Sequence, residues 1–98
     1  MKVIYHPTVE ATIRRLPEKQ SSKLFKVIEL FIDYNFVLTS NFLKKISGQV
    51  WELRSGRYRL LFGVISNNMI AVCVFLKKTQ KTPNKEIKLA QRRLKEYE

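Results

Sequence analysis

The sequence predicts an α+β domain in which a mostly antiparallel sheet packs on helices, with the element order β-α-α-β-β-β-α. The first observation is a pair of short runs around Ser55-Gly56 that alternate apolar and polar residues, as the strands of a β-hairpin do. The second is a uniformly apolar run at 69–76, which is typical of a strand covered on both faces. The third is apolar residues at helical spacing before and after these strands. The length of 98 residues is that of one domain, which we expect to span positions 1–98.

The first third of the chain is predicted to form a short strand and two helices. The strand lies at 3–5, and Thr8 is a suitable N-cap for a helix that ends near Leu16. A second helix at about 17–34 repeats apolar residues at spacings of three and four. Asn35 is a suitable stop for this helix because asparagine tolerates the left-handed conformation.

The hairpin around Ser55-Gly56 is predicted to have one apolar and one polar face. If these two residues form the loop, Leu53 faces Tyr58 and Glu52 faces Arg59 across the strands. We expect the first face to point into the core; it carries Trp51, Leu53, Tyr58, Leu60 and Phe62. The second face is expected to be polar; it carries Glu52, Arg54, Arg57 and Arg59.

The segments that flank the hairpin complete the prediction. Residues 36–49 are expected to be a connector that carries Lys44 and Lys45. Asn67-Asn68 predicts a tight turn before the apolar strand at 69–76. After this strand, Thr82 can cap the last helix and Pro83 can take its first position.

The strong positive charge indicates a polyanionic partner. Nineteen Lys and Arg against eight Asp and Glu give a formal net charge of +11. Such an excess favours binding to nucleic acid or to an acidic protein. No segment combines a basic face with exposed aromatic residues over a full helix, so we expect no membrane partner. The N-terminus lacks the apolar region of a signal peptide, and the single cysteine gives no disulfide framework, so the expected location is the cytoplasm.

Two basic clusters are the candidates for chemistry. Arg54, Arg57 and Arg59 with Glu52 are either a solvated sheet face or a phosphate clamp, since guanidinium groups bind phosphate bidentately. Lys77, Lys78 and Lys81 follow the end of the apolar strand, and an antiparallel reversal would bring them back towards the arginines.

The chemistry expected of these clusters needs no cofactor or metal. The sequence has no Cys/His/carboxylate cluster with metal-ligand spacing and no phosphate-binding glycine motif. Cleavage of RNA fits the remaining residue types because the 2′-OH is an internal nucleophile. The protein then has only to orient this hydroxyl and to stabilise charge on the phosphorane.

Two motifs in these clusters resemble the RelE/HigB superfamily of bacterial and phage toxins, in its HigB-like (phage Gp49-like) branch. The first is W-E-L-R at 51–54 followed by Y-R-L-L-F at 58–62, and the second is F-L-K-K-T-Q-K-T-P at 75–83. The order of the predicted elements agrees with this family over nearly the whole chain. The resemblance implies a RelE-like compact domain.

The resemblance also implies a ribosome-dependent mRNA interferase, an endoribonuclease that enters the ribosomal A site and cuts translated mRNA. The cut would leave a 2′,3′-cyclic or 3′-phosphate and a 5′-OH. A cognate antitoxin, in this branch commonly a helix-turn-helix protein of the HigA type, would hold the toxin inactive.

The family's site residues transfer to this chain only in part. The motifs place the phosphate clamp on Arg59 and Arg54, and the stabilisers of the phosphorane or leaving group on Lys77 and Lys78. Glu52, or a lysine, would be the general base, although the acid and base residues of related toxins have no clear counterparts here. Further contacts to RNA are expected from other basic residues in or near the two motifs: Lys44, Lys45, Arg57 and Lys81.

A second hypothesis from another functional class is a non-cleaving binding module. Such a protein would be a ParE-like gyrase poison or a degenerate toxin retained for antitoxin binding. The basic set around Arg59 favours the ribonuclease, because gyrase poisons of this fold generally lack it.

Overall fold

A five-stranded sheet runs through the molecule between two layers of helices. The computed structural model describes all of residues 1–98. The strands and helices follow one another as β1 (Lys2–Tyr5), α1 (Pro7–Arg15), α2 (Glu18–Tyr34), β2 (Leu43–Ser47), β3 (Val50–Ser55), β4 (Tyr58–Ile65), β5 (Asn68–Leu76) and α3 (Asn84–Lys95). The spatial order of the strands is β1-β5-β4-β3-β2, with β1 parallel to β5 and every other pair antiparallel. This arrangement confirms the predicted α+β class. None of the helices is both long and apolar enough to span a lipid bilayer.

The strand β2 was not predicted, because its sequence was interpreted as part of a connector. It pairs with β3 in antiparallel fashion, and the register shifts between Lys45 and Ser47. This irregularity explains the wrong prediction, since a bulge breaks the strict alternation by which a strand is recognised. Lysine is also typical of edge strands, where its charge discourages pairing with a further chain.

The helix ends agree with the prediction at α2 and differ from it at α1. Asn35 ends α2 with a φ of 53°, as predicted. At α1, the N-cap is His6 rather than Thr8, and Pro7 takes the first helical position. The His6 ring nitrogen Nδ1 accepts a hydrogen bond of 3.3 Å from the backbone N–H of Thr8. An imidazole thus replaces the hydroxyl that the sequence pattern favoured.

The hairpin loop consists of Gly56 and Arg57, one position later than predicted. Ser55 pairs with Tyr58, and Arg54 pairs with Arg59. Gly56 has a φ of +59°, which suits the first loop position of a two-residue turn. The register differs by two residues from the predicted one, so each side chain keeps its predicted face. Arg57 alone changes role, because it lies in the turn instead of on the polar face.

The second hairpin is also displaced by one residue. Ser66 and Asn67 form the loop between β4 and β5, with φ values of 51° and 60°, whereas Asn67-Asn68 was predicted. Asn68 instead begins β5 and pairs with Ile65. The reversal itself lies where the sequence indicated, so β4 and β5 run antiparallel for their full lengths.

The apolar face of the β3–β4 hairpin forms the larger core with α1 and α2. Leu53, Leu60 and Phe62 are fully buried there, and Trp51 packs against them. Phe31 of α2 meets the Phe62 ring edge to face at a centroid distance of 4.6 Å. The faces predicted from alternation are therefore confirmed for these strands, although Tyr58 remains partly exposed.

The opposite face of the hairpin is not polar along its whole length, contrary to the prediction. Its end distant from the Gly56 turn is covered by α3, and a second apolar cluster there includes Val50, Leu61, Ala90 and Leu94. Leu94 lies so close to β4 that a Cβ at Gly63 would come within 2.9 Å of its side chain. Only the end near the turn therefore remains available to the charged residues.

Leu60 gives a test of the face assignment. Leu60→Ala should lower the free energy of unfolding by about 2–5 kcal/mol, the range for a fully buried leucine. The matched control is Leu76→Ala on the neighbouring strand, where the side chain is 43% exposed and a loss below about 0.5 kcal/mol is expected. Urea denaturation of both variants measures the difference. Leu76 lies on the same face as Leu60, so equal losses would contradict the burial of Leu60 in the core that the face assignment requires.

Candidate active site

Glu52 is a carboxylate buried at the centre of the charged end of the sheet. The residue is 1% exposed, although it lies on a strand that was expected to present it to solvent. Its Oε1 accepts a hydrogen bond of 3.1 Å from Nε of Arg54, and Nε of Arg59 lies 3.8 Å from the same oxygen. Its Oε2 accepts a hydrogen bond of 2.6 Å from the Thr82 hydroxyl. Both carboxylate oxygens are therefore occupied by side chains of the protein.

Arg59 lies beside this carboxylate and is itself 8% exposed. Its Nη1 donates hydrogen bonds to the carbonyl oxygens of Gly56 at 2.9 Å and Tyr58 at 3.0 Å. The pKa of Arg59 is lowered by burial and by the nearby Arg54, while Glu52 acts in the opposite direction. Nη2 makes no hydrogen bond to the protein and is not sealed off from solvent. One terminal nitrogen of a firmly held guanidinium thus remains free for a ligand.

Arg54 offers a second guanidinium beside the first. It lies directly across the hairpin from Arg59, and its side chain is 29% exposed. Only its Nε is used by the protein, on Glu52. Both terminal nitrogens are free, so Arg54 can present the pair of parallel donors that binds a phosphate bidentately.

The loop after β5 brings the lysines to these arginines, as the antiparallel reversal predicted. Lys77, Lys78 and Lys81 line a small cleft together with Arg59 and Glu52. The loop is held at its start by Arg57, whose carbonyl oxygen accepts from the backbone N–H of Lys77 at 2.7 Å. Arg57 also donates from Nη2 to the Lys77 carbonyl oxygen at 3.3 Å.

Thr82 holds the far end of this loop, a role that the sequence did not reveal. It was predicted to cap α3, but the helix begins at Asn84 with Pro83 in the N-cap position. Its hydroxyl donates to Glu52 instead. The Thr79 hydroxyl donates to the carbonyl oxygen of Lys81 at 2.9 Å and braces the middle of the loop. The loop is therefore fixed at both ends and in between.

The two lysines of β2 lie on opposite faces of the sheet. Lys44 pairs with Glu52 across the strands and shares its face, so it is exposed on the side of the charged cluster. Lys45 pairs with Trp51, and its Nζ lies 5.8 Å from the centroid of the indole ring on the other face. Only Lys44 is therefore placed beside the predicted site.

The burial of Arg59 corrects an expectation about its replacement. From the alternation, Arg59 should point into solvent, so that its loss would leave the fold intact. In the structure its loss would remove one cation from a buried carboxylate, and removing one partner of a buried ion pair typically costs about 3–5 kcal/mol. Arg54 and Thr82 remain bound to Glu52 and offset part of this loss. Arg59→Ala therefore tests stability and function together.

Comparison with protein families identifies the chain. Residues 11–95 match the family described as phage-derived protein Gp49-like (DUF891). The chain belongs to the Gp49-like family. This confirms the Gp49-like resemblance carried by the two motifs. Among curated proteins, no sequence matches the chain significantly.

Solved structures of RelE toxins share the fold of this Gp49-like protein. The isolated RelE toxin of E. coli matches with a TM-score of 0.64 and 15% identity, over 89% of this chain and 95% of that one. A chain of the archaeal RelE–RelB complex from Pyrococcus horikoshii gives 0.64 and 17% identity, over 79% and 94%. The RelB–RelE antitoxin–toxin complex from Methanococcus jannaschii gives 0.59 and 19%, over 87% and 94%. Similarity at this level of identity shows the RelE fold.

The bond between Thr82 and Glu52 gives a test of the site geometry. Thr82→Val keeps the shape of the side chain but leaves Oε2 of a buried carboxylate without its donor, which should cost about 1–3 kcal/mol of unfolding free energy. Thr82→Ser keeps the hydroxyl and should lose less than half of that amount. Thr79→Val is the control, since this hydroxyl is exposed. Equal stabilities for the valine and serine variants at position 82 would contradict the bond.

Proposed function

We propose that this Gp49-like protein is the toxin of a type II toxin–antitoxin system and an endoribonuclease that cuts mRNA on the ribosome. The observation that carries the proposal is the pair of guanidinium groups of Arg54 and Arg59. Both are oriented by the buried carboxylate of Glu52, and both keep terminal nitrogens free. Arg59 also lines the cleft of the loop lysines. This cluster can hold a phosphodiester without any further group.

The proposed reaction is a transesterification within the RNA. The 2′-oxygen attacks the adjacent phosphorus, the bond from phosphorus to the 5′-oxygen breaks, and the products carry a 2′,3′-cyclic phosphate and a 5′-OH. Negative charge develops on the phosphorane oxygens during this step. Arg54 and Arg59 would stabilise this charge, together with whichever of Lys77 and Lys78 is protonated. Arginine suits the task because it stays protonated at neutral pH.

Glu52 is assigned an orienting role in this mechanism rather than that of the general base. Its two oxygens are bound by Arg54, Arg59 and Thr82, and almost none of its surface reaches solvent. A base must come within hydrogen-bond reach of the proton that it removes. The lysines of the loop satisfy this condition better, so we assign the proton transfers to Lys77 and Lys78. One of them, in its neutral form, accepts the 2′-OH proton, and the other, protonated, donates a proton to the leaving 5′-oxygen.

The proposed partners are the ribosomal A site, the mRNA and a cognate antitoxin. The net charge of +11 supports binding to RNA. Structures of relatives were solved as complexes with RelB antitoxins, which supports an antitoxin for this chain. We expect a helix-turn-helix antitoxin of the HigA type, acidic where it covers the loop lysines.

The decisive experiment is primer extension on a translated message after the protein is induced in bacteria. The wild-type protein should produce cuts within the translated region. The double variant Lys77→Ala/Lys78→Ala should reduce cleavage by at least about a hundredfold, since one lost transition-state donor typically costs that much. Arg59→Lys keeps the buried charge but not the planar guanidinium that holds one terminal nitrogen free for the phosphate, and it should cleave at an intermediate rate.

The matched control is Lys85→Ala/Lys88→Ala, which removes the same charge from exposed positions of α3. It should cleave like the wild type. Full cleavage by the Lys77/Lys78 double variant would contradict the assigned site. Arrest of DNA replication with every message intact would instead support the alternative of a gyrase poison.

A further inference from the structure

A second basic concavity adjoins the proposed active site on the side of α2. It encloses about 450 Å³, within the range of about 300–1,000 Å³ that small-molecule sites span. Arg54 and Arg59 form one wall of it. The opposite wall is formed by α2 through Lys23 and Lys26, neither of which was singled out by its sequence.

The charge of this concavity is positive, and its two lysines have no acidic partner. Lys23 and Lys26 are exposed, and no carboxylate lies within 4 Å of either ammonium group. No acidic residue lines the space. The two lysines are three positions apart on the helix, so they project from the same side. Glu52 balances one of the two arginine charges, so the four cations carry a net charge of +3, and charges gathered around one hollow attract an anion more strongly than the same charges spread over a surface.

An aromatic side chain lies at the rim of the same concavity. Phe42 is 38% exposed although it is large and apolar. Its backbone is held beside Arg54, because the Phe42 carbonyl oxygen accepts a 2.8 Å hydrogen bond from the backbone N–H of Arg54. An exposed ring held next to phosphate-binding cations is the combination by which proteins bind single-stranded nucleic acid, since bases stack on the ring.

We infer that this concavity is a second nucleotide subsite for single-stranded RNA, with the phosphate on Lys23 and Lys26 and the base stacked on Phe42. The inference rests on the proposed ribonuclease function and extends its site. Arg59 lines both the lysine-loop cleft and this concavity, so it lies between the two. A strand whose scissile phosphate lies at Arg59 would continue directly into the subsite. The subsite thus sets the direction in which the bound RNA leaves the active site.

The test measures the affinity of the purified protein for 2′-O-methyl oligoribonucleotides by fluorescence anisotropy. The methyl group blocks the 2′-oxygen, so the probe is bound but not cut. The double variant Lys23→Ala/Lys26→Ala should lower affinity for a longer oligonucleotide about tenfold and leave that for a dinucleotide unchanged. Loss of this one phosphate contact should also reduce the slope of log affinity against log salt by about 0.7. Phe42→Ala should lower affinity for the longer probe about tenfold, whereas Phe42→Tyr, which keeps an aromatic ring, should bind this probe like the wild type.

Two comparisons separate failure of the subsite from failure of the proposed function. Lys85→Ala/Lys88→Ala is the charge-matched control and should bind like the wild type. Unchanged binding of the longer probe by the Lys23/Lys26 variant would overturn the subsite, as would wild-type protein that binds the longer probe no better than the dinucleotide. In either case the function would stand if the Lys77/Lys78 variant still fails to cut translated mRNA. Wild-type protein that cuts no message would remove the function itself.

Discussion

The buried carboxylate of Glu52 is the interaction on which the charged end of the molecule depends. An isolated charge in the interior is unfavourable unless cations and hydrogen bonds satisfy it. Here Arg54, Arg59 and Thr82 do so, and each comes from a different part of the chain. The carboxylate thereby fixes the directions of two guanidinium groups and the end of the lysine loop. The proposed phosphate site is thus organised around a buried anion whose oxygens are bound by the protein itself.

The fold places these groups together through its sheet order. The β3–β4 hairpin brings Arg54 and Arg59 side by side, and β5 returns antiparallel to β4 so that its end reaches the same edge. The loop after β5 then crosses towards α3, and the Thr82 hydroxyl reaches Glu52 on the way. Because α3 covers the other end of the same face, the charged groups are confined to the part near the turn. The packing of α3 on the sheet thus determines where on this face the charged groups lie.

The sequence predicted the features that depend on neighbouring residues and missed those that depend on contacts between distant parts of the chain. Alternation along β3 and β4 identified the core face, and the turn before β5 predicted that Lys77 would return to Arg59. The strand β2 was missed because its bulge breaks the alternation. The burial of Glu52 could not be predicted, since it depends on a threonine thirty residues later. Lys23 was missed because only the packing of α2 against the hairpin brings it to the site.

The central claim, that Glu52 and Arg59 act as one buried unit, is tested most directly by a double-mutant cycle. Unfolding free energies of Glu52→Gln, Arg59→Gln and the double variant are measured by urea denaturation against the wild type. Residues coupled in one network show interaction energies of about 0.5–3 kcal/mol. We expect about 1 kcal/mol or more, with the double variant more stable than the sum of the single losses predicts. Additive losses, within about 0.3–0.5 kcal/mol, would contradict the account.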